Sequence, residues 1–172
     1  MTTLTPTWRF LKFAAFRDFF QWDAKRHFAK ATNYSFPTQK LGDHILEFSE
    51  IVRPAKEPDK EFKILGVNNK VGLFDAYMEA GRKIKQPYQR VVDGCLAYNP
   101  YRVNVGSIGL KTAAQKHDLI SSAYVIFKGR DSLLPEFLYL LFRSDAFNKI
   151  IRDTTSGSVP QNLTFDLLAD MT

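Results

Sequence analysis

Pro135 divides this chain into two kinds of sequence. Beyond it, "PEFLYLLFRSDAF" places apolar residues at helical spacing, Phe137, Leu138, Leu141 and Phe142, and Pro135 itself stands where a first helical residue belongs. Ser144 can cap a second helix through "SDAFNKIIRDT". After the polar loop "TSGSVPQN", Thr164 can cap a third in "LTFDLLADM". Before Pro135 the apolar runs are short and broken by turn formers. "EFKILGV" and "VGLFDAY" read as strands flanking the turn Asn68-Asn69-Lys70. "QRVVDGCLAYN" reads as a strand, an Asp93-Gly94 hairpin turn and a second strand. "VGSIGL" is a short strand, and "LISSAYVIFK" reads as one buried strand rich in β-branched and aromatic residues. "KLGDHI" fits a single helical turn. Short strands followed by helices predict an α+β fold: an irregular, mostly antiparallel sheet domain with short helices packed at its C-terminal part.

The length, 172 residues, suits one domain with its own core, assigned to residues 21–172, preceded by an aromatic, basic segment 1–20 that is helical in part. Fifteen phenylalanines predict an aromatic core. No apolar run approaches the roughly 20 residues that span a bilayer. The N-terminus lacks the apolar stretch of a secretory signal, and Asp18 and a lack of serines argue against a transit peptide, so the cytoplasm is the default compartment. Cys95 is the single cysteine, which excludes a disulfide framework and a thiolate zinc site. No histidine adjoins it in sequence, so it reads as a small strand residue. His27, His44 and His117 are too dispersed to form a ligand pair.

The net charge of +6 favours polyanionic partners. Its distribution is uneven. Residues 1–40 hold Arg9, Lys12, Arg17, Lys25, Arg26, Lys30 and Lys40 against Asp18 and Asp23. "GRKIKQPYQR" holds Arg82, Lys83, Lys85 and Arg90 with no acid. Such a stretch is either a solvated face or an electrostatic footprint for nucleic acid.

Two enzyme motifs are incomplete. Asn99-Pro100-Tyr101 resembles the Asn/Asp-Pro-Pro-aromatic tetrapeptide of DNA adenine methyltransferases, but one proline is missing. That chemistry also needs a glycine-rich strand-to-helix turn for the methyl donor, and the glycines of "VNVGSIGL" open a strand-like run instead. "PDKEFK" holds the Asp and Glu-x-Lys of a metal-dependent nuclease. A Mg²⁺ site needs those carboxylates to converge from adjacent strands, whereas neighbours on one extended chain point apart. A charged loop entering a strand is the simpler account.

The order of the pieces carries more than any one of them: "WDAKRHF", "FPTQKLGDHI", "KILGVNNKVGLFD", "YQRVVDGCLAYNPYRVNVGSIGL", "ISSAYVIFK" and the helical run from "LLPEF" to "LADM". From about Trp22 to Met171 this resembles a target recognition domain of the specificity subunit of type I restriction-modification systems. Asp93-Gly94 reverses the order usual in that family. The resemblance implies a module that reads one half of a split double-stranded DNA site. It holds no catalytic residue, cofactor or metal. Methylation and cleavage belong to partner modification and restriction subunits, the former a methyltransferase using S-adenosylmethionine. It also implies that "LAYNPYRVNVGSIGL" is a strand pair, with Asn99-Pro100-Tyr101 structural or touching DNA, and that Gly106 and Gly109 permit close backbone approach. A full subunit of the family has two such domains and two long helices, and no sustained heptad pattern occurs in this sequence. The chain therefore reads as a piece of a longer subunit, a half-length subunit, or a recognition domain from a methyltransferase fusion.

DNA recognition needs Lys and Arg for phosphates and paired donors and acceptors for base edges. The candidates are Asn68, Asn69 and Lys70 at one turn; Arg82, Lys83, Lys85, Gln86, Tyr88 and Arg90 in the basic stretch; Asn99, Arg102 and Asn104 at another turn; and Ser156, Ser158, Gln161 and Asn162 in the late loop. The basic stretch ranks first among them. The competing readings are a protein-interaction module whose charge serves docking or solubility and, last, a self-contained methyltransferase or nuclease.

Overall fold

Nine strands precede three helices in the computed structural model, which describes residues 37–155 and 162–172. The segment 1–20 and the start of the 21–172 domain lie outside the described residues, as do Ser156, Ser158 and Gln161. The strands are β1 (Ile45–Glu47), β2 (Ile51–Val52), β3 (Glu61–Asn68), β4 (Gly72–Ala80), β5 (Tyr88–Arg90), β6 (Leu96–Tyr98), β7 (Ile108–Leu110), β8 (Leu119–Ser121) and β9 (Val125–Gly129). The helices are α1 (Pro135–Arg143), α2 (Asp145–Thr155) and α3 (Phe165–Ala169). The fold is α+β, as the sequence predicts.

The strands form two sheets, ordered β1-β9-β6-β7 and β2-β5-β8-β3-β4. Every pairing is antiparallel except β3 with β8, which meet in parallel at Ile64 and Leu119. Strand parity shows how the layers stack. In β6, Leu96 and Tyr98 join the core beneath the helices, while Ala97 faces the other way, into a core shared with Leu65, Leu73 and Ile120 of the second sheet. In β9, Phe127 and Ile126 divide in the same manner. The first sheet is thus buried on both faces, which explains why β6 and β9 read as nearly continuous apolar runs. A third cluster, Phe62, Ile64, Ile84, Tyr88 and Leu119, covers the far face of the second sheet.

Under the helices the core is aromatic. Tyr98 meets Phe127 edge-on at 6.0 Å between centroids, Phe127 meets Phe142 at 5.3 Å, and Phe142 meets Phe147 at 4.6 Å. Aromatic pairs of this kind add about 0.5–1.5 kcal/mol each beyond burial. The Tyr98 hydroxyl donates to Leu163 O at 3.0 Å, and burial raises its pKa. Helix ends follow their sequence signals. Pro135 opens α1, Ser144 Oγ accepts from Phe147 N at 3.2 Å, and Thr164 Oγ1 accepts from Leu167 N at 3.4 Å. The two ends of this unit meet: Leu41 N donates to Met171 O at 2.8 Å, and Lys40 pairs with Asp170 at 2.8 Å.

Three sequence expectations are corrected. Asp93-Gly94 is a turn but not a hairpin, because β5 lies in the second sheet and β6 in the first. Gly94 N donates to Lys111 O at 2.9 Å and Lys111 N to Cys95 O at 2.8 Å, which steers β6 onto β7; the nearly buried Lys111 ammonium holds Asp93 at 2.9 Å. "LISSAYVIFK" is two strands, not one. Ser121 to Tyr124 form a turn, with Tyr124 N bonded to Ser121 O at 3.1 Å, and the chain again changes sheets. Of the two glycines expected at a close approach, only Gly109 serves that purpose: a Cβ there would lie 2.5 Å from Leu73 Cβ. Gly106 instead supplies a left-handed φ of 79°.

Candidate nucleic-acid interface

The chain from Asn99 to Ser107 folds on itself through local bonds. Asn99 Oδ1 accepts from Tyr101 N at 2.9 Å, and Asn99 O accepts from Arg102 N at 3.0 Å. This is an Asx turn, so the side chain that suggested a methyltransferase is engaged in holding the backbone. Pro100 is buried, and its carbonyl accepts from Leu163 N at 3.0 Å. Tyr101 and Arg102 remain exposed at the rim.

Beside this connection stands the β3–β4 turn. Asn68 Oδ1 accepts from both Lys70 N and Val71 N at 2.9 Å, and Gly72 closes the turn at φ 77°. Ser107 Oγ reaches Val67 O at 3.5 Å. Arg143, at the end of α1, donates to Asn69 O at 3.3 Å and to the Tyr139 hydroxyl at 3.2 Å, and its guanidinium sits 5.5 Å from that ring's centroid. α2 packs on residues Val103–Val105. Its buried side carries Phe147 and Ile151, and Lys149 and Arg152 are exposed. Among the described residues, Lys70, Arg102, Lys149 and Arg152 have no carboxylate partner. The fold therefore gathers the Asn68–Lys70 and Asn99–Arg102 candidates into one region with the α1–α2 corner.

The basic stretch is placed differently. Arg82 pairs with Asp59 at 3.2 Å, and Lys83 with Glu79 at 3.1 Å. Arg90 pairs with Glu50 at 2.8 Å and also with Asp118; the Glu50 hydrogen bond, ahead of the Asp118 charge, raises its pKa. A run with no acid in sequence thus meets four acids in space. Only Lys85 stays unpaired among its cations, beside exposed Gln86. Tyr88 is buried, with its hydroxyl 3.5 Å from that of Tyr77, whose pKa this bond and burial push up to about 12. Asn162 is half-buried, lining a hollow with Pro100, Glu47 and Asp166. Asn104 lies within the short helical turn Val103–Val105.

Cys95 is fully buried, and burial pushes its thiol pKa up. Asp59, from the nuclease-like motif, lies in the turn before β3 and pairs with Arg82. Among the described residues no group of His, Cys, Asp and Glu could hold a metal ion, and no helix is long and apolar enough to cross a membrane.

Comparison with solved structures relates this arrangement to known ones. A chain from work on complex assembly and conformational transition of the type I R-M system superposes with a TM-score of 0.64 at 20% identity, over 80% of this chain and 38% of its own. The HsdS subunit from Thermoanaerobacter tengcongensis gives 0.60 at 19% identity, over 77% of this chain and 35% of its own. The fold is shared with HsdS specificity subunits. No family model matches the sequence, and no curated protein matches it. The chain spans a little over a third of the HsdS-like chains it resembles.

Within this HsdS-like fold, Arg143 and the helix carrying Lys149 and Arg152, which the sequence does not single out, adjoin the candidate turns. A signal existed for the last two: cations three residues apart on a helix share a face. Nothing local in the sequence could announce that Arg143 reaches the Asn69 carbonyl, a bond spanning 74 residues.

Proposed function

We propose that this chain is a non-catalytic double-stranded DNA recognition module of a type I-like restriction-modification assembly, reading a half-site for a partner modification subunit. The observation that carries the proposal is the HsdS-like fold with unpaired cations on adjoining elements, Lys70 on the β3–β4 turn, Arg102 on the Asn99–Ser107 connection, and Lys149 and Arg152 on α2. Unpaired lysines and arginines can neutralise phosphates without first losing a carboxylate. The paired Arg82, Lys83 and Arg90 would have to exchange partners. The phosphate surface is therefore assigned to the region around the β3–β4 turn ahead of the 82–90 stretch, with Lys85 the one unpaired cation there. The restriction subunit is a further partner on this reading, and a cytoplasmic location follows from it.

The test is duplex DNA binding by the full chain across a range of salt. The logarithm of affinity should fall linearly with the logarithm of salt concentration. Arg102→Ala, Lys149→Ala and Arg152→Ala combined should flatten that slope by about 2 to 3 units, at roughly 0.9 per lost phosphate contact, and weaken binding at least about tenfold at low salt. Arg82→Ala with Lys83→Ala should change it far less. A second reading, protein docking without DNA, has its own observation: Leu134, Phe137 and Leu140 form an exposed apolar stripe on and beside α1. Absence of duplex binding at low salt, even with a modification subunit present, would overturn the first reading in favour of the second.

A further inference from the structure

Reading a base edge demands a side chain that is free at both polar atoms and fixed in place. Asn68 and Asn99 fail the first requirement. Each amide oxygen is occupied by backbone N–H groups, two for Asn68 and one for Asn99. Asn69 meets it. Its side chain is exposed and makes no hydrogen bond among the described residues, so its amide offers one donor and one acceptor together. The second requirement is met by its backbone. The turn is braced from within by Asn68, from one side by Arg143 on Asn69 O, and at its base by the Asn99–Ser107 connection, whose Ser107 Oγ reaches Val67 O at 3.5 Å. Arg143 is in turn held by the Tyr139 hydroxyl and ring. A free amide on a braced tip, next to the unpaired ammonium of Lys70, joins base-reading chemistry to phosphate-binding chemistry at adjacent residues.

We propose that Asn69 is a specificity-determining residue that contacts one adenine edge in the major groove, with Lys70 on a neighbouring phosphate and Arg143 as the positioning residue that sets the tip. The inference rests on the DNA-recognition reading above and adds the base class and the residue. An asparagine amide matches adenine by donating to N7 and accepting from N6–H.

The experiment selects bound sites from a random duplex pool with the full chain, and then repeats the selection with variants. Wild type should enrich a motif containing an adenine. Asn69→Ala should lose the preference at that one position, lowering affinity for the wild-type site about 5- to 150-fold relative to substituted sites, with the salt slope unchanged. Lys70→Ala should weaken all sequences alike and flatten the slope by about one unit. Arg143→Lys keeps the charge but loses the fork that spans Tyr139 and Asn69; it should blur the same position as Asn69→Ala at an unchanged slope. Unchanged thermal melting establishes that each variant is folded. A motif from Asn69→Ala identical to that of wild type overturns the inference and leaves the DNA-recognition reading standing. Salt-sensitive wild-type binding with no motif at all overturns the inference and the half-site part of that reading, leaving duplex binding through phosphates alone. Failure of wild type to bind any duplex overturns both.

Discussion

At Gly109 the two sheets come closer than side chains would normally allow. Face-to-face sheets ordinarily stand about 10 Å apart, with side chains interleaved between them. Here β7 lies directly against β4, and the missing side chain is the reason it can. A methyl group would collide with Leu73, whose own side chain fills the inter-sheet core beside Ala97 and Cys95. Gly109→Ala should therefore destabilise the protein by about 1–3 kcal/mol, the usual range for overpacking, seen as a lower urea midpoint at an unchanged slope. The small residues Cys95 and Ala97 lie in the same core cluster as Leu73. Cys95, read from sequence as a small strand residue, is a buried core residue just before β6.

The elements were legible wherever their cause was local. Pro135, Ser144 and Thr164 each mark a helix start by chemistry confined to a single turn, and the Asn68-Asn69-Lys70 turn follows from the residues in it. Ser144 is also a test of that claim. Its hydroxyl donates to Leu141 O at 2.7 Å and accepts from Phe147 N, so it ends α1 and begins α2 with one side chain. Ser144→Ala should cost about 1 kcal/mol, measurable by denaturant titration. The candidate site was legible only in part, because two of its properties are non-local. Pairing of Arg82 with Asp59 and of Arg90 with Glu50 joins residues 23 and 40 apart, so the acid-free run that ranked first by sequence is largely neutralised. The adjoining turns at 68–70 and 99–102 were each recognisable, but their adjacency to each other and to α2 was not.

Across the whole molecule the chain keeps changing sheets. It crosses between β5 and β6 within five residues and again between β8 and β9 within three. Period and propensity specify a strand, not the sheet that will receive it, which is why the 119–128 run predicts one strand and Asp93-Gly94 a hairpin. These crossings couple the layers. Pulling β8 from the second sheet drags on β9, which sits between β1 and β6 at the heart of the first. Native-state hydrogen exchange should therefore find β6, β8 and β9 opening with a single shared free energy, equal to that of global unfolding. Separate opening energies for the two sheets would contradict this coupling.

The backbone bond from Leu41 to Met171, reinforced by Lys40 and Asp170, bears on how such a unit can be used. Entry and exit share one doorway. Both sheets and the three described helices lie between those two residues. Closely spaced ends are the feature that lets compact units in general be inserted into or exchanged between longer chains.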